Sequence, residues 1–262
     1  MLRYIRLYLY FLRFSFSRAM EFRLDFFFRI VMDTVYYAVH ITFFGVIYRH
    51  TTMVGGWNLD QMLIFICGFF LVDALHMTIH ANNMWALPEH VNTGNLDYYL
   101  IRPVSSLFFL SHRDFAANSF VNLIIAATML TWAFLRYPGE FSTIQILVFL
   151  VLLVNGAYLY WIIHMCFVIP VFWTHSAHGF QMLFYSLKQF AERPDPIFQG
   201  MLRRGLTTIL PFLLIASFPA RILFEGLNMG ILIHAGVVSL LLTLFLLWFW
   251  QRAVRSYSSA SS

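Results

Sequence analysis

Long apolar runs constrain the fold of this chain more than any other feature of its sequence. Five such runs, at about 26–48, 61–82, 115–135, 143–169 and 228–250, are long enough to cross the roughly 30 Å hydrocarbon core of a bilayer as helices. They lack the strict alternation that barrel strands need, and backbone groups in lipid must bond within their own segment. The sequence therefore predicts an all-α, multi-pass membrane protein.

The overall composition leaves no room for a large soluble domain. Of the 262 residues, 60% are hydrophobic and 11% are charged, which lies outside the range of ordinary soluble domains. The net charge is +5, but the basic residues are spread among connecting segments, so no nucleic-acid partner is expected. Cys67 and Cys166 lie within apolar runs and indicate no disulfide framework.

Residues 1–23 predict an amphipathic helix at the membrane surface, in contact with membrane lipids. Its polar side chains fall on one stripe and its apolar side chains on the opposite side. The polar stripe contains Arg3, Arg6, Arg13, Ser17 and Glu21, and the apolar side contains Leu2, Ile5, Leu9, Leu12 and Phe16. We expect the arginines to lie among anionic headgroups. An amphipathic helix packed on protein is the alternative.

The segment from 174 to 226 holds two apolar stretches, neither of comfortable spanning length. Residues 206–218 are interrupted by Pro211 and followed by Pro219, which suits a re-entrant or interfacial hairpin buried in protein. We predict this hairpin over 192–226, on the extracytoplasmic side, just before the last span. The stretch around 174–191 then becomes the fifth of six spans. The hairpin also carries Pro194, Pro196, Arg203 and Arg204.

Six spans place both termini on the same side of the membrane. With the termini in the cytoplasm, nine arginines lie inside and seven basic residues lie outside, with Lys188 among the seven. Cytoplasmic loops are enriched in Arg and Lys, so this orientation in the cell (inner, cytoplasmic) membrane is favoured. The interval 83–113 is then the one sizeable cytoplasmic loop.

Ionisable residues within the first two spans form an intramembrane polar stripe on each. Arg29, Asp33 and His40 share one face of the first span, and Asp73, His76 and His80 share one face of the second. Asp33, Asp73 and His76 lie at similar depths, so the two stripes are placed to meet.

Three interpretations of these stripes stay open, because ionisable groups at such depth cost on the order of several kcal/mol unless they face partners or water. The first is an inter-helix network in which Arg29 neutralises Asp33. The second is a polar cavity that contacts substrate. The third is metal or haem ligation by His76 and His80, but the other histidines show no motif spacing, so no metal site is predicted.

The 83–113 loop is longer than a connection between two antiparallel helices needs. Gly94 is expected to punctuate the chain, and residues 95–102 predict about two turns of helix, capped by Asn95 and ended by Pro103. Its apolar side chains indicate that the loop docks against something. A loop folded onto its own helices and a helix that dips into the membrane surface are the alternatives.

The run GNLDYYLIRPVSSLF, which begins at Gly94, resembles the G-x-L-D-x-x-L-x-[KR]-P-V signature of ABC-2-type export permeases, in the branch built from six helices. The stretch ERPDPIF at 192–198, LP at 210–211 and ASFPARILFEG at 216–226 resemble that family's segment before its last span. With the interfacial helix and the span count, the resemblance covers nearly the whole chain, 1–262, as a single transmembrane domain.

The resemblance implies that the loop carries a coupling helix, seated in a cleft of a cytoplasmic ATPase. The buried contacts would come from Leu96, Tyr98, Tyr99 and Leu100, and the polar contacts from Asp97 and Arg102, with Pro103 at the helix end. The chain has no G-x-x-x-x-G-K-[ST] motif, so ATP and Mg are expected on a partner P-loop ATPase. The chain itself is expected to bind no cofactor and to perform no catalysis. A second permease subunit, either a similar chain or a second copy, is also implied.

The hypothesis that results is a membrane-spanning permease subunit of an ATP-binding cassette exporter, which moves an amphipathic or lipid-like compound outward. One alternative is a membrane-embedded metal or haem enzyme that uses Asp73, His76 and His80. Another is a non-transporting anchor for an ATPase. The aromatic-rich spans suit apolar, cationic and lipid ligands almost equally, so no single substrate is predicted.

Overall fold

The computed structural model describes residues 2–19 and 23–258, and the long elements within these ranges are helices. Five of the described helices are long and apolar enough to cross a membrane. They cover Ile30–Ile47, Leu59–Asn92, Ser119–Arg136, Thr143–Thr174 and Met229–Ser256. The prediction of an all-α protein with several apolar helices is confirmed.

The α-helices of the described residues are, in chain order, α1 (Leu2–Ala19), α2 (Arg23–Ile47), α3 (Leu59–His76), α4 (Asn82–Asn92), α5 (Asp97–Leu100), α6 (Ser106–His112), α7 (Ala117–Arg136), α8 (Thr143–Val168), α9 (Val171–Thr174), α10 (His178–Lys188), α11 (Gly200–Thr208), α12 (Ser217–Glu225) and α13 (Met229–Ser256). A π-helical stretch, Met77–Ala81, joins α3 to α4, and 3-10 turns cover Asp195–Ile197 and Phe212–Leu214.

Capping boxes fix the starts of two central helices. The Asn58 side chain accepts a hydrogen bond from the Gln61 N–H at 2.9 Å, and the Gln61 side chain accepts one from the Asn58 N–H at 3.0 Å. Ser142 and Gln145 repeat this arrangement at the start of α8. Each box satisfies backbone donors that the helix end would otherwise leave unpaired, so α3 and α8 begin where the sequence supplies these pairs.

The second predicted span, at about 61–82, is longer in the structure and runs as a continuous helical rod from Leu59 to Asn92. Residues 83–92, predicted as the start of the loop, are therefore helical. Met84, Leu87 and Val91 are buried there at helical spacing, so packing extends the helix beyond its apolar run.

The helical bundle has two distinct ends. At one end the 192–226 segment packs against other connections, since the Phe224 ring centre lies 5.4 Å from that of Trp57 and 6.2 Å from that of Tyr137. At the opposite end the Asn92 amide donates to the His175 carbonyl at 2.9 Å. We call these the hairpin end and the loop end.

The chain passes from the loop end to the hairpin end between His175 and Ile197. Ile197 lies against Gly55, in the connection that follows α2. Over this interval the predicted span at 174–191 contains one helix, α10, of 11 residues. At 1.5 Å per residue α10 is only about 16 Å long, shorter than a hydrocarbon core.

The predicted hairpin reaches into the bundle instead of lying across its end. All residues from 211 to 220 are buried. A Cβ atom built on Gly156 would lie only 2.1 Å from the Ile215 carbonyl oxygen, so the two backbones approach as only glycine allows. Gly156 lies near the middle of α8. The apex of the hairpin therefore sits at mid-helix depth.

Helix α1 packs against the loop end through aromatic contacts. The Tyr4 and Phe108 ring centres are 4.9 Å apart, as are those of Tyr8 and Phe115. The Phe115 N–H donates to the Ser15 hydroxyl at 3.0 Å. One side of α1 thus packs on protein, which the sequence analysis held as the alternative. The Leu2, Arg3, Ile5 and Phe16 side chains, and Glu21, lie outside what the structure describes.

The C-terminal helix also finishes at the loop end. The Trp250 indole N–H donates to the Ser106 hydroxyl at 3.2 Å, and the Trp250 and Phe172 ring centres are 5.6 Å apart. Since α1 packs on α6 at the same place, both described ends of the chain lie at the loop end of the bundle.

Candidate functional site: the 93–105 loop and the buried polar network

The loop from 93 to 105 contains the run that carries the family resemblance. Its helix, α5, has a single turn instead of the predicted two. The prediction that Asn95 caps it is wrong, because Leu96 occupies the N-cap position and the Asn95 amide donates to the Thr93 hydroxyl at 2.8 Å. Gly94 has φ +79, a conformation that favours glycine, so its predicted role as a turn residue is confirmed.

Two of the predicted contact residues point into the chain. Leu96 is fully buried and Tyr99 is 3% exposed. The Tyr99 hydroxyl shares a hydrogen bond with His90 Nε2 at 3.2 Å and accepts another from Arg113. Burial raises the pKa of the Tyr99 hydroxyl, and the Arg113 charge opposes that rise. Leu96 and Tyr99 therefore anchor the loop to the bundle.

The other side of the loop presents four exposed side chains, which we call the outer loop face: Tyr98, Ile101, Arg102 and Pro103. Tyr98 is 52% exposed and Ile101 is 78% exposed. The Arg102 guanidinium lies 4.1 Å from the centre of the Tyr98 ring. Asp97 and Leu100 are half-buried. The predicted contact set omits Ile101, the most exposed apolar side chain of the loop.

In the bundle, Asp73 of α3 pairs with Lys188 of α10. The Lys188 Nζ lies 2.8 Å from Asp73 Oδ1, and the Tyr160 hydroxyl donates to the same oxygen at 3.0 Å. All three side chains are buried. Counting Lys188 among the charges outside the membrane is therefore wrong. The sequence alone does not show that Lys188 faces Asp73, because the two residues belong to different helices.

Glu192 extends this network to the first span. The Tyr36 hydroxyl donates to Glu192 Oε1 at 2.9 Å, and His40 Nε2 lies 3.1 Å from Glu192 Oε2. The two predicted stripes are thus linked through Lys188 and Glu192, which the sequence analysis missed as partners.

Asp33 of the first span contacts α7 and a cavity. It accepts a hydrogen bond from the Asn122 amide of α7. It also lines a cavity of about 210 Å³, together with Met32 and Trp85. The Arg29 side chain lies outside the described residues, so the predicted pairing of Arg29 with Asp33 stays a prediction.

The two histidines of the second stripe turn to different partners. His76 Nε2 lies 2.9 Å from His164 Nδ1, whereas His80 Nδ1 lies 3.1 Å from the Ser111 carbonyl oxygen. The His76 ring stacks on Tyr160 at 4.2 Å. Over residues 2–19 and 23–258, no three or more His, Cys, Asp or Glu side chains are grouped so that they could hold a metal ion.

The hairpin segment is organised around Asp195, which is fully buried. Its carboxylate accepts hydrogen bonds from Ser217 Oγ at 2.9 Å and Arg203 Nη2 at 2.5 Å, and Arg221 Nη1 lies 3.4 Å from it. These contacts tie α11 and α12 together. Among the predicted hairpin residues, Pro194, Pro211 and Pro219 are buried, Pro196 and Arg203 are half-buried, and Arg204 is exposed.

A comparison with protein families matches residues 34–261 to the family described as ABC-2 family transporter protein. The match runs from α2 to the end of the chain and includes both the loop and the hairpin segment. The chain belongs to the ABC-2 transporter family. No curated protein and no solved structure matches it. The resemblance carried by GNLDYYLIRPV is therefore confirmed, and the protein is a membrane component of a transport system.

Proposed function

We propose that this ABC-2 family protein is the permease subunit of an exporter, which moves an amphipathic or lipid-like compound outward. A separate P-loop ATPase would bind ATP and Mg and supply the energy. The outer loop face carries this proposal, because exposed apolar side chains beside an arginine, on an anchored loop, are typical of a protein interface. A second permease subunit, a similar chain or a second copy, completes the proposed transporter.

The proposed topology has six crossings in the inner membrane, with both termini in the cytoplasm. The passage of the chain from His175 at the loop end to Ile197 at the hairpin end supports a crossing made partly by α10. Lys188 no longer counts as an outside charge, which strengthens the excess of arginine at the loop end. The loop end is then cytoplasmic.

The 192–226 hairpin is proposed as a re-entrant element that closes the outer end of the transport path. The contact between Ile215 and Gly156 at mid-helix depth supports the re-entrant part of this proposal. A cavity of about 550 Å³ at this end is lined by Arg203, Arg204, Phe218 and His234, among others. Closure of the ATPases would rock the bundles between inward-facing and outward-facing states with different substrate affinities.

We assign the polar network of the buried Asp73 and Lys188 and the half-buried Glu192 and His40 to holding the helices together, because each of these side chains has a polar partner from another element. Asp33 lines the cavity of about 210 Å³, so it is the stripe residue that we propose to meet substrate.

The test is co-purification from native membranes in mild detergent, with partners identified by mass spectrometry. The wild-type chain is compared with a Tyr98→Asp, Ile101→Asp variant. A Met201→Asp, Leu202→Asp variant is the matched control, since it makes the same change at two exposed positions of α11. We expect a P-loop ATPase with the wild type and the control, and about tenfold less or none with the loop variant.

Recovery of the same ATPase with all three chains would show that the outer loop face is not the coupling surface. Failure to recover any ATPase under several mild conditions would remove the exporter proposal itself.

A further inference from the structure

Helix α1 has a second face that carries exposed apolar side chains. Leu9, Tyr10 and Phe14 are 59%, 62% and 60% exposed. Since Tyr4 and Tyr8 hold the helix against the loop end, Leu9 and Phe14 point away from the bundle, whereas Tyr10 lies beside the 93–105 loop. In a membrane protein such a face lies in the boundary between headgroups and acyl chains. Helix α1 is thus placed flat at the bilayer surface, beside the 93–105 loop.

A cavity of about 520 Å³ lies between α1 and this loop. Arg6, Leu7 and Tyr10 line it from α1, and Arg102, Val104 and Phe109 line it from the other side. Arg6 and Arg102 are both exposed. None of the described residues that line the cavity carries a carboxylate. The site therefore combines two cations with apolar walls.

We propose that this cavity binds the headgroup of an anionic phospholipid from the leaflet at the loop end. Guanidinium groups match phosphate oxygens in geometry and charge, so Arg6 and Arg102 would hold the phosphate from two sides. Leu7, Val104 and Phe109 would contact the glycerol and the start of an acyl chain. These apolar walls, on a helix at the bilayer surface, favour a lipid over a soluble anion.

The bound lipid would join α1 to the outer loop face. Arg102 contributes both to the cavity and, through its stacking on Tyr98 at 4.1 Å, to the outer loop face. An anionic lipid would fix the Arg102 side chain and so order the surface that faces the ATPase. Only this last consequence rests on the proposed function, because lipid binding itself needs no ATPase.

The binding test is native mass spectrometry of the purified chain, titrated with phosphatidylglycerol or with phosphatidylcholine of the same acyl chains. Each arginine near an anionic lipid contributes about fivefold in affinity, so Arg6→Gln, Arg102→Gln should weaken phosphatidylglycerol binding by about 25-fold. An Arg252→Gln, Arg255→Gln variant removes the same charge from exposed positions that do not line the cavity. It should bind phosphatidylglycerol like the wild type.

Val104→Trp supplies an independent test, because it fills the apolar part of the cavity while it keeps both arginines. It should also lose phosphatidylglycerol. Retention times in size-exclusion chromatography would show that each variant is folded. If the cavity variant and the control variant lose phosphatidylglycerol affinity equally, the lipid is attracted to the basic surface in general, and the proposal is overturned. Unchanged binding in both Arg6→Gln, Arg102→Gln and Val104→Trp would overturn it as well.

A separate measurement addresses the consequence for transport. In nanodiscs with the co-purified ATPase, replacing phosphatidylcholine by phosphatidylglycerol should raise ATP turnover for the wild type and the Arg252→Gln, Arg255→Gln control, but not for the Arg6→Gln, Arg102→Gln variant. If phosphatidylglycerol binding is lost in the cavity variants but ATP turnover does not depend on the lipid, the lipid site stands and its effect on the ATPase is refuted.

Discussion

At the scale of single residues, the close contact between Gly156 and Ile215 restricts position 156 to glycine. An alanine Cβ would lie 2.1 Å from a backbone oxygen, which cannot move aside as a flexible side chain can. We expect Gly156→Ala to destabilise the fold by about 1–3 kcal/mol, the usual cost of overpacking. The measurement is the thermal unfolding midpoint in detergent.

The control for that prediction is Gly236→Ala in α13, where a new Cβ would meet nothing within 4 Å. In a helix interior this change typically stabilises by about 0.5–1 kcal/mol, so its midpoint should stay level or rise. A Gly156→Ala midpoint equal to that of Gly236→Ala would mean that α8 and the hairpin do not touch as described.

The Asp73–Lys188 pair gives a second prediction at this scale. Lys188→Met would leave Asp73 buried without its cation and should cost about 3–5 kcal/mol of stability. Adding Asp73→Asn to that variant should recover part of the loss. The exposed pair of Arg136 with Asp60, at 2.8 Å, is the control, since Arg136→Met should cost about 1 kcal/mol or less. The measurement is the thermal unfolding midpoint of all variants in one detergent. Equal losses of stability for Lys188→Met and Arg136→Met would contradict the buried Asp73–Lys188 pair.

The sequence identified one half of this buried network but not the other. Asp73 and His40 were found because they interrupt long apolar runs at helical spacing. Lys188 lies in the stretch predicted as the fifth span and Glu192 follows that stretch directly, but neither interrupts a long apolar run, so nothing in their local pattern showed that they turn inward. Pairing between residues more than about 100 positions apart is set by tertiary packing and is not visible in local periodicity.

At the scale of elements, the hairpin depends on Asp195. Its carboxylate collects hydrogen bonds from Ser217 and Arg203, so Asp195→Ala should loosen α11 from α12 by about 2 kcal/mol or more. Trypsin cleaves after arginine, and Arg203 and Arg204 lie in α11. We therefore expect faster tryptic cleavage at these two positions in the detergent-solubilised variant, measured by mass spectrometry of the fragments.

Glu225→Ala is the control for the hairpin, because Glu225 pairs with Arg221 at an exposed position. Such surface pairs contribute about 1 kcal/mol or less, so cleavage at Arg203 and Arg204 should keep its wild-type rate. If Asp195→Ala leaves the rate unchanged too, the buried carboxylate does not hold the two helices together.

The positions of the helices could be predicted from local sequence, but some of their ends depend on tertiary packing. The five strong apolar runs became helices near their predicted positions, and Gly94 turned the chain as expected. The second helix continued to Asn92 because Met84, Leu87 and Val91 find partners in the bundle. By contrast, α5 ends after one turn at Leu100, and the chain continues as turns and bends around Pro103, which disfavours a helical conformation at Arg102.

At the scale of the whole molecule, the six-crossing proposal predicts that Ile101 and Met201 lie on opposite sides of the membrane. Both are exposed, 78% and 89% respectively, so cysteines placed there should react readily with maleimide. In intact cells a membrane-impermeant maleimide should label Met201→Cys but not Ile101→Cys. Permeabilised cells should show both labels.

The background for this labelling is a chain in which Cys67 and Cys166 are replaced by alanine, which should give no signal. Labelling of Ile101→Cys in intact cells with Met201→Cys protected would mean that the molecule is inserted the other way. Identical behaviour of the two positions would mean that the 174–191 stretch does not cross.

The π-helical stretch at Met77–Ala81 has a consequence for the molecule as a whole. A π turn inserts an extra residue into a helix, and each residue rotates an α-helix by about 100°. The stretch therefore sets how α4 is rotated about its helix axis. It also sets the side of the bundle on which the following loop lies. The direction in which the outer loop face points is thus set inside the apolar bundle, beside His76 and His80, and not by the loop itself.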